Sequence, residues 1–183
     1  MTKYAISILV ALICACSAPK SVVLNQKYAN DAPPDYRKIN EKCQYIITDI
    51  QDNRKDKQSL GNLYFTHVSS EDVMQWLRNG LAAAGFETVA EPLRAADAVN
   101  ITVELILANV KSSSTSLATN LVVGVNFRDK DKTIYLRGLN CAIDWSSSQE
   151  GIQASFDASL QEVLAKLIEL SEASCSSWEA MAR

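Results

Sequence analysis

Three stretches in the middle of this chain alternate apolar and polar residues with a period of two, and that pattern restricts the fold more than any other feature of the 183 residues. Ile101, Val103, Leu105 and Leu107 alternate with Thr102 and Glu104, and Leu121, Val123, Val125 and Phe127 alternate with Asn120, Gly124 and Asn126. Across residues 133–145, Tyr135, Leu139, Cys141, Ile143 and Trp145 share one parity, interrupted by Arg137. Successive side chains of a strand point to opposite faces, so each stretch predicts a strand with one apolar face. The polar runs 111–116 and 128–132 separate them, which predicts an antiparallel meander.

The flanking segments supply the other elements. Residues 43–50 are β-branched and apolar on both parities, the pattern of a central strand. The charged run 51–58 follows as a loop, ending at Leu60 and Gly61. Ser69, Ser70, Glu71 and Asp72 offer a hydroxyl N-cap and first-turn acids for a helix carrying Val73, Leu77, Leu81 and Ala84, and Gly85 is placed to stop it. Residues 86–89 form a short strand. Ser147 and Glu150 make a capping box for a second helix, with Phe156, Leu160, Val163, Leu164, Leu167 and Ile168 on one face. Each helix shows one apolar stripe, so both belong on the same side of one sheet. The expected fold is α/β (α+β): a two-layer sandwich of a mostly antiparallel five-stranded sheet with two helices on one face, in the order β-α-β-β-β-β-α. A hydrophobic fraction of 48% against 21% charged residues fits a packed domain and not a disordered chain.

The first residues read as an address. Lys3 precedes an apolar run over 4–15, and a helix of that length rises about 18 Å against roughly 30 Å of bilayer hydrocarbon. A basic start before a short apolar run is a secretory signal, here 1–15. Ile13, Cys14, Ala15 and Cys16 resemble a bacterial lipobox, in which the last cysteine takes a diacylglyceryl thioether. Cleavage after Ala18, giving a plain secreted protein, is the rival and sets Pro19 just past the scissile bond; an uncleaved anchor is the third case. Ser17 follows Cys16, where an Asp would resemble an inner-membrane retention signal, so the expected home is the periplasmic face of the bacterial outer membrane. Residues 16–42, with Pro19, Pro33 and Pro34, read as the lipidated cysteine and a flexible tether, with residues 22–24 sticky enough to touch something. The periplasmic domain then spans 43–170, and 171–183 is a Ser-rich tail holding Trp178 and Met181.

Little of the sequence suggests catalysis. His67 is the one imidazole, without the order of a known triad, and reads as structural or surface. Asp49, Asp52 and Asp56 lie among Arg54, Lys55 and Lys57, which reads as a solvated, self-paired loop before it reads as an acid/base pair. No phosphate-cradling glycine loop and no nucleophile elbow is present, so no cofactor and no enzyme is expected. Once Cys14 leaves with the signal and Cys16 carries lipid, Cys43, Cys141 and Cys175 remain for one disulfide, without CxxC spacing and without a metal set. A formal charge of −3 argues against nucleic acid.

With both helices on one face, Thr102, Glu104, Ile106, Ala108, Asn120, Val122, Gly124 and Asn126 face away from them. That small, mixed, weakly charged face is the candidate surface for an envelope protein partner or a second copy; of these, Thr102, Glu104, Ile106, Asn120, Val122 and Asn126 are the candidate contacts. A sheet left half open also offers an edge for strand addition. An apolar cleft between helices and sheet would suit an accessory role in envelope transport or assembly, handling a lipid or glycan.

Residues 46–49, then Asp52, Asn53 and Arg54, closing at Leu60 and Gly61, resemble the opening of the YajG-type bacterial lipoproteins. The helix ending in Leu81, Ala82, Ala83, Ala84 and Gly85 before Phe86, the meander with residues 135–138, and the last helix follow the same order. The resemblance covers about 43–170 and implies a lipid-anchored periplasmic α/β domain with no established activity, so it brings no catalytic residues. Cys141 and Cys175 are not features of that family.

Overall fold

The computed structural model describes residues 20–24, 38–39, 44–63, 66–89, 98–113, 116–128, 132–143 and 148–181. The signal 1–15, Cys16, Cys43, Trp145 and Ser147 lie outside the described residues. The elements run β1 (Lys20–Val23), β2 (Gln44–Asp52), β3 (Ser59–Leu63), β4 (Thr66–Ser69), α1 (Val73–Ala83), β5 (Glu87–Thr88), β6 (Ala98–Ser113), β7 (Ser116–Phe127), β8 (Ile134–Ile143) and α2 (Gln149–Met181).

A five-stranded sheet in the order β5-β2-β6-β7-β8 forms the frame of this mixed α+β fold. The β6–β7 and β7–β8 ladders are antiparallel, the expected meander, whereas β2 runs parallel to both β5 and β6. Strand β2, apolar on both parities, therefore has a strand on either side. The parallel step from β2 to β5 passes through α1. That helix ends where Gly85 takes a positive φ of 93°, letting the Phe86 N–H reach the Leu81 carbonyl at 3.1 Å.

One continuous core joins the helices to the inner face of this sheet. It contains Trp76, Leu77 and Leu81 of α1, Phe156, Leu160, Leu164 and Leu167 of α2, and Ile101, Val103, Leu121 and Val123 of the strands. Trp76 meets Phe156 edge to face at 5.9 Å, and its indole N–H donates to Asp157 Oδ1 at 2.9 Å, so the largest buried ring keeps its polar atom satisfied. Thr119 on the same inner face is bonded to Ser159 Oγ at 2.7 Å and Ser155 Oγ at 3.0 Å, a buried hydroxyl cluster between β7 and α2.

A second sheet departs from the expected plan. Strands β1, β4 and β3 form a three-stranded sheet in that order, with β1 parallel to β4 and β3 antiparallel to it. Val22, Leu24, Leu60, Leu63 and Val68 enter the common core from it. The expected tether 16–42 thus contains a strand, and Gln149 at the start of α2 donates to the Val23 carbonyl at 2.6 Å. Ile39, in the same segment, is buried, with its N–H on the Ala84 carbonyl at 3.0 Å. Folded structure is thus present from Lys20 on, well before the expected boundary at Cys43. The apolar run 22–24 has too few residues to signal a strand alone; pairing with β4 and burial of Val22 and Leu24 in the common core decide it.

Helix ends also differ from the expectation. α1 begins at Val73 behind Asp72, which has a φ of 61° and makes no side-chain cap, and its first turn holds no acid. The expected hydroxyls are used locally: Ser69 Oγ accepts from the Glu71 N–H at 3.1 Å, and Ser70 Oγ donates to the Lys57 carbonyl. At α2 the cap is Ser148, whose Oγ accepts from the Gly151 N–H at 3.0 Å. The helix then continues to Met181, so the expected tail 171–183 is mostly helical, with Ser171, Ser174 and Cys175 buried. Ser174 Oγ donates to the Leu170 carbonyl at 2.9 Å, which lets a serine-rich sequence stay helical by bonding back along its own turn. No described helix is long and apolar enough to cross a membrane.

Candidate functional site

Two features stand out: the outer face of β8, and a cleft where the two sheets meet. Both follow from irregularities that plain alternation does not show.

The β7–β8 register sets Gly138 opposite Leu121 and Leu136 opposite Val123, so the even residues of β8 share the core side. Gly138 is required there, because a Cβ at that position would lie 1.9 Å from the Ser159 carbonyl oxygen of α2. The odd residues therefore face outward. Tyr135 is 64% exposed, Leu139 53% and Ile143 77%, the large exposed hydrophobics of the described fold. The period of two holds along this strand, and its apolar parity lies on the open face. Arg137, between Tyr135 and Leu139, holds Asn120 Oδ1 through Nε at 3.0 Å.

β8 is also an edge strand, yet part of its edge is closed. Glu162 Oε2 accepts from the Leu139 N–H at 2.8 Å, and Lys166 Nζ donates to the Arg137 carbonyl at 2.6 Å. Lys166 and Glu162 also pair with each other at 2.6 Å. One carboxylate and one ammonium thus occupy the two backbone groups that an added strand would use at that point. The Lys166 hydrogen bond first, and the Leu139 N–H second, hold the Glu162 carboxyl below its ordinary value.

The expected partner face is less open than its sequence implied. Thr102, Glu104, Ile106, Asn120, Val122 and Asn126 are all half-buried. Several are tied to neighbours: Thr102 Oγ1 donates to the Asn126 carbonyl at 3.3 Å, and Glu104 Oε2 accepts from Asn53 Nδ2 at 3.1 Å. A register shift between Leu105 and Leu107 reverses the parity of β6, turning Ala108 and Val110 toward the core and Leu107 and Asn109 outward. Ala108 thus leaves the expected face.

The bulge also opens the second feature. β2 leaves β6 after Leu105, where the Asn53 N–H donates to the Leu105 carbonyl at 2.9 Å, and β3 takes its place beside the far half of β6. Between them lies a cleft of about 650 Å³. Ile106 and Leu107 give it an apolar wall, the core residues Leu60, Ala108 and Val110 border it, and Arg54, Lys55, Asp56 and Lys111 stand in its lining. A volume of roughly 300–1,000 Å³ is typical of small-molecule sites.

The loop in this lining is self-paired, as the sequence suggested, and Lys55, Asp56, Lys57 and Gln58 are exposed, but it is not solvated throughout. Arg54 is only 5% exposed. Its Nε and Nη2 donate to the two carboxylate oxygens of Asp52 at 2.9 and 2.8 Å, and those bonds hold the Asp52 carboxyl below its ordinary range. Nη1 is buried without a hydrogen-bond partner among the described residues. Asp56 Oδ1 accepts from the N–H groups of Gln58 and Ser59 at 2.9 and 3.1 Å, fixing the turn. Asp49 is exposed beside Gln51.

His67 lies on β4, opposite Asn62 of β3, with Nδ1 3.0 Å from Asn62 Oδ1, and it is not among the described residues lining the cleft. Among the described residues no group of three His, Cys, Asp or Glu side chains is placed to hold a metal ion. Cys175 is buried and disulfide-bonded to a cysteine outside the described residues, whereas Cys141 is a free, exposed thiol on the open face of β8. Sequence reasoning missed the cleft because its walls come from a bulge and from β3, neither of which has a periodic signal. The burial of Arg54 was equally hidden; only the Asp-x-Arg spacing hinted at the ion pair.

No family model matches the chain, and no curated protein matches its sequence. Among solved structures of similar shape is an uncharacterized protein, 12% identical over 73% of this chain and 95% of that one, with a TM-score of 0.44. A hypothetical protein of Chlamydia trachomatis matches at 7% identity over 69% of this chain and 96% of its own, TM-score 0.37. A PelC dodecamer from Paraburkholderia phytofirmans matches at 8% identity over 73% and 92%, TM-score 0.36.

Proposed function

We propose that this chain is a lipid-anchored outer-membrane lipoprotein of the YajG type, facing the periplasm, whose domain is not an enzyme and binds a protein partner of the cell envelope. The observation that carries this reading is the outward row of Tyr135, Leu139 and Ile143 on β8. Such a row is costly to leave in water and suits an apolar protein surface. Docking is face-on, because Glu162 and Lys166 already occupy the middle of the β8 edge. With Cys16 acylated, three residues separate it from β1 at Lys20, four Cα steps that reach at most about 14 Å at full extension. The domain would then sit against the bilayer, and its partner would be another protein of that membrane surface.

The test is site-specific photocrosslinking in intact bacterial cells. Probes at Tyr135, Leu139 and Ile143 should trap one and the same protein, and probes at the exposed Gln75 and Arg78 of α1 should not. A Leu139→Glu change should abolish the adduct at the other two positions. No adduct on β8, or adducts only between copies of this chain, would overturn the partner reading. The intact mass of the mature protein should carry acyl chains on Cys16; an unacylated terminus would remove the anchor.

A role in handling a lipid or glycan is the second reading, favoured by the cleft at the sheet junction. That cleft lies beside β6 and not between helices and sheet, where the sequence would have set it.

A further inference from the structure

From the cleft between the β2–β3 loop and β6, we propose that this protein binds a small anionic amphiphile, an oxyanion carried on an apolar body. The inference rests on the cleft alone and stands whether or not β8 has a protein partner. The apolar half of the match is the wall formed by the half-buried Ile106 and Leu107. The anionic half is Arg54. A guanidinium has five N–H donors; two of its nitrogens are taken by Asp52, and Nη1 is buried without an acceptor among the described residues. A buried charged donor left unpaired is strongly unfavourable, so such a group in a native fold calls for an acceptor. Arg54 stands in the cleft lining, and a ligand oxyanion that enters there supplies one when the cover over Nη1 parts.

The surrounding charge favours the same sign. Asp52 neutralises Arg54, and Asp56 directs Oδ1 to the backbone of its own turn. Asp56 keeps its negative charge, so Lys55 and Lys111, both exposed and both in the lining, leave a surplus of one positive charge. The Asp52–Arg54 fork is preorganised, because its bidentate geometry fixes the guanidinium plane before a ligand arrives. Carboxylate and phosphate head groups share this chemistry, and the experiment separates them.

Hydrogen exchange of the full-length protein is measured at segments 53–61 and 106–111. The probes are decanoate, decyl phosphate, decanol, decyltrimethylammonium and inorganic phosphate, each below the concentration at which micelles form. Decanoate or decyl phosphate should slow exchange at both segments by about fivefold or more, and the stronger of the two identifies the head group. The charge reversals Lys55→Glu and Lys111→Glu, at exposed positions that leave the core intact, should together weaken that protection by at least about tenfold in ligand concentration. Arg54→Lys, which keeps the charge and loses the fork, should weaken it further. Equal protection by all three neutral, cationic and anionic alkyl probes would overturn the proposal, as would equal protection by inorganic phosphate alone or no protection by either alkyl anion.

Discussion

A single methyl group placed on β8 tests how the helix layer rests on the sheet. In Gly138→Ala the new Cβ would lie 1.9 Å from the Ser159 carbonyl oxygen and 2.8 Å from its carbon, both backbone atoms of α2 that no rotamer change can move. Contacts below 3.0 Å are essentially never observed for a real Cβ, so α2 must retreat from β8 by about 1 Å. A gap of about 1 Å forfeits up to half of each dispersion contact across it, and Leu160, Val163, Leu164 and Leu167 all pack across this layer. Overpacking of about 1–3 kcal/mol and the loosened contacts together give an expected loss of about 3 kcal/mol. With a urea dependence of about 2 kcal/mol per molar for a domain of this size, the unfolding midpoint should fall by about 1.5 M. The control is Gly124→Ala on the opposite face of the same sheet. Its Cβ would meet the Thr133 Cγ2 at 3.2 Å and the Tyr135 ring at 3.5 Å, side-chain atoms that can yield. That variant should stay within about 1 kcal/mol of the parent, since removing a strand glycine recovers up to about 1 kcal/mol of chain entropy. Urea unfolding of both variants by circular dichroism decides it. Equal midpoints would refute the direct seating of α2 on β8.

Four further outcomes follow from the described contacts. Glu162→Ala with Lys166→Ala removes an exposed helical pair worth about 0.3–0.5 kcal/mol, so stability should barely change, while sedimentation should reveal concentration-dependent association through the freed β8 edge; a monodisperse variant would sink the edge-closing role. Thr119→Val strips the shared partner from Ser155 and Ser159 and should cost about 1–3 kcal/mol in the same denaturation assay. Asp52 and Glu162 both have folded-state pKa values below their unfolded ones, so the stability they lend is full above about pH 4.5 and is lost as pH falls through the depressed folded values; Asp52→Asn should flatten that acid limb of a stability-versus-pH curve. Cys141 should be alkylated by iodoacetamide in the native protein, and Cys175 only after reduction and unfolding, read by peptide mass.

The parts of the fold that were legible in the sequence are those whose burial is one-sided and periodic. The stripe Phe156, Leu160, Val163, Leu164, Leu167 and Ile168 is buried throughout, and Ile101, Val103 and Leu105 face the same core. Strands β1, β3 and β4 were not legible, because each is five residues or fewer and gains its stability from pairing and from the shared core. The tail was misread for a related reason: Ser171 and Ser174 look like loop residues by composition, yet they are buried on the inner side of α2. The bulge at Ile106 has no sequence signal at all, and it decides both which residues of β6 face outward and where the cleft opens. Arg54 shows the limit from the other side, since a charged residue in a charged run gives no hint of being buried.

The phase of β8 is set by its inner side, not by its apolar residues. An amphipathic strand placed by burial alone would turn Tyr135, Leu139 and Ile143 inward and leave Gly138 and Asn140 to solvent. The opposite holds. Asn140 donates to Ser155 Oγ at 2.9 Å within the hydroxyl cluster under α2, and Gly138 lets the helix backbone touch the strand. Moving the strand by one residue would drive Leu139 into the space that Gly138 leaves for Ser159, so the phase is held by the close approach of the α2 backbone to Gly138. The apolar residues are then outward because the inner side has no room for them, and room alone would be met equally well by threonine or lysine outside. Folding does not call for tyrosine, leucine and isoleucine there. The proposed partner would account for them, and this is why the row on β8, and not the half-buried face of β6 and β7, carries that proposal.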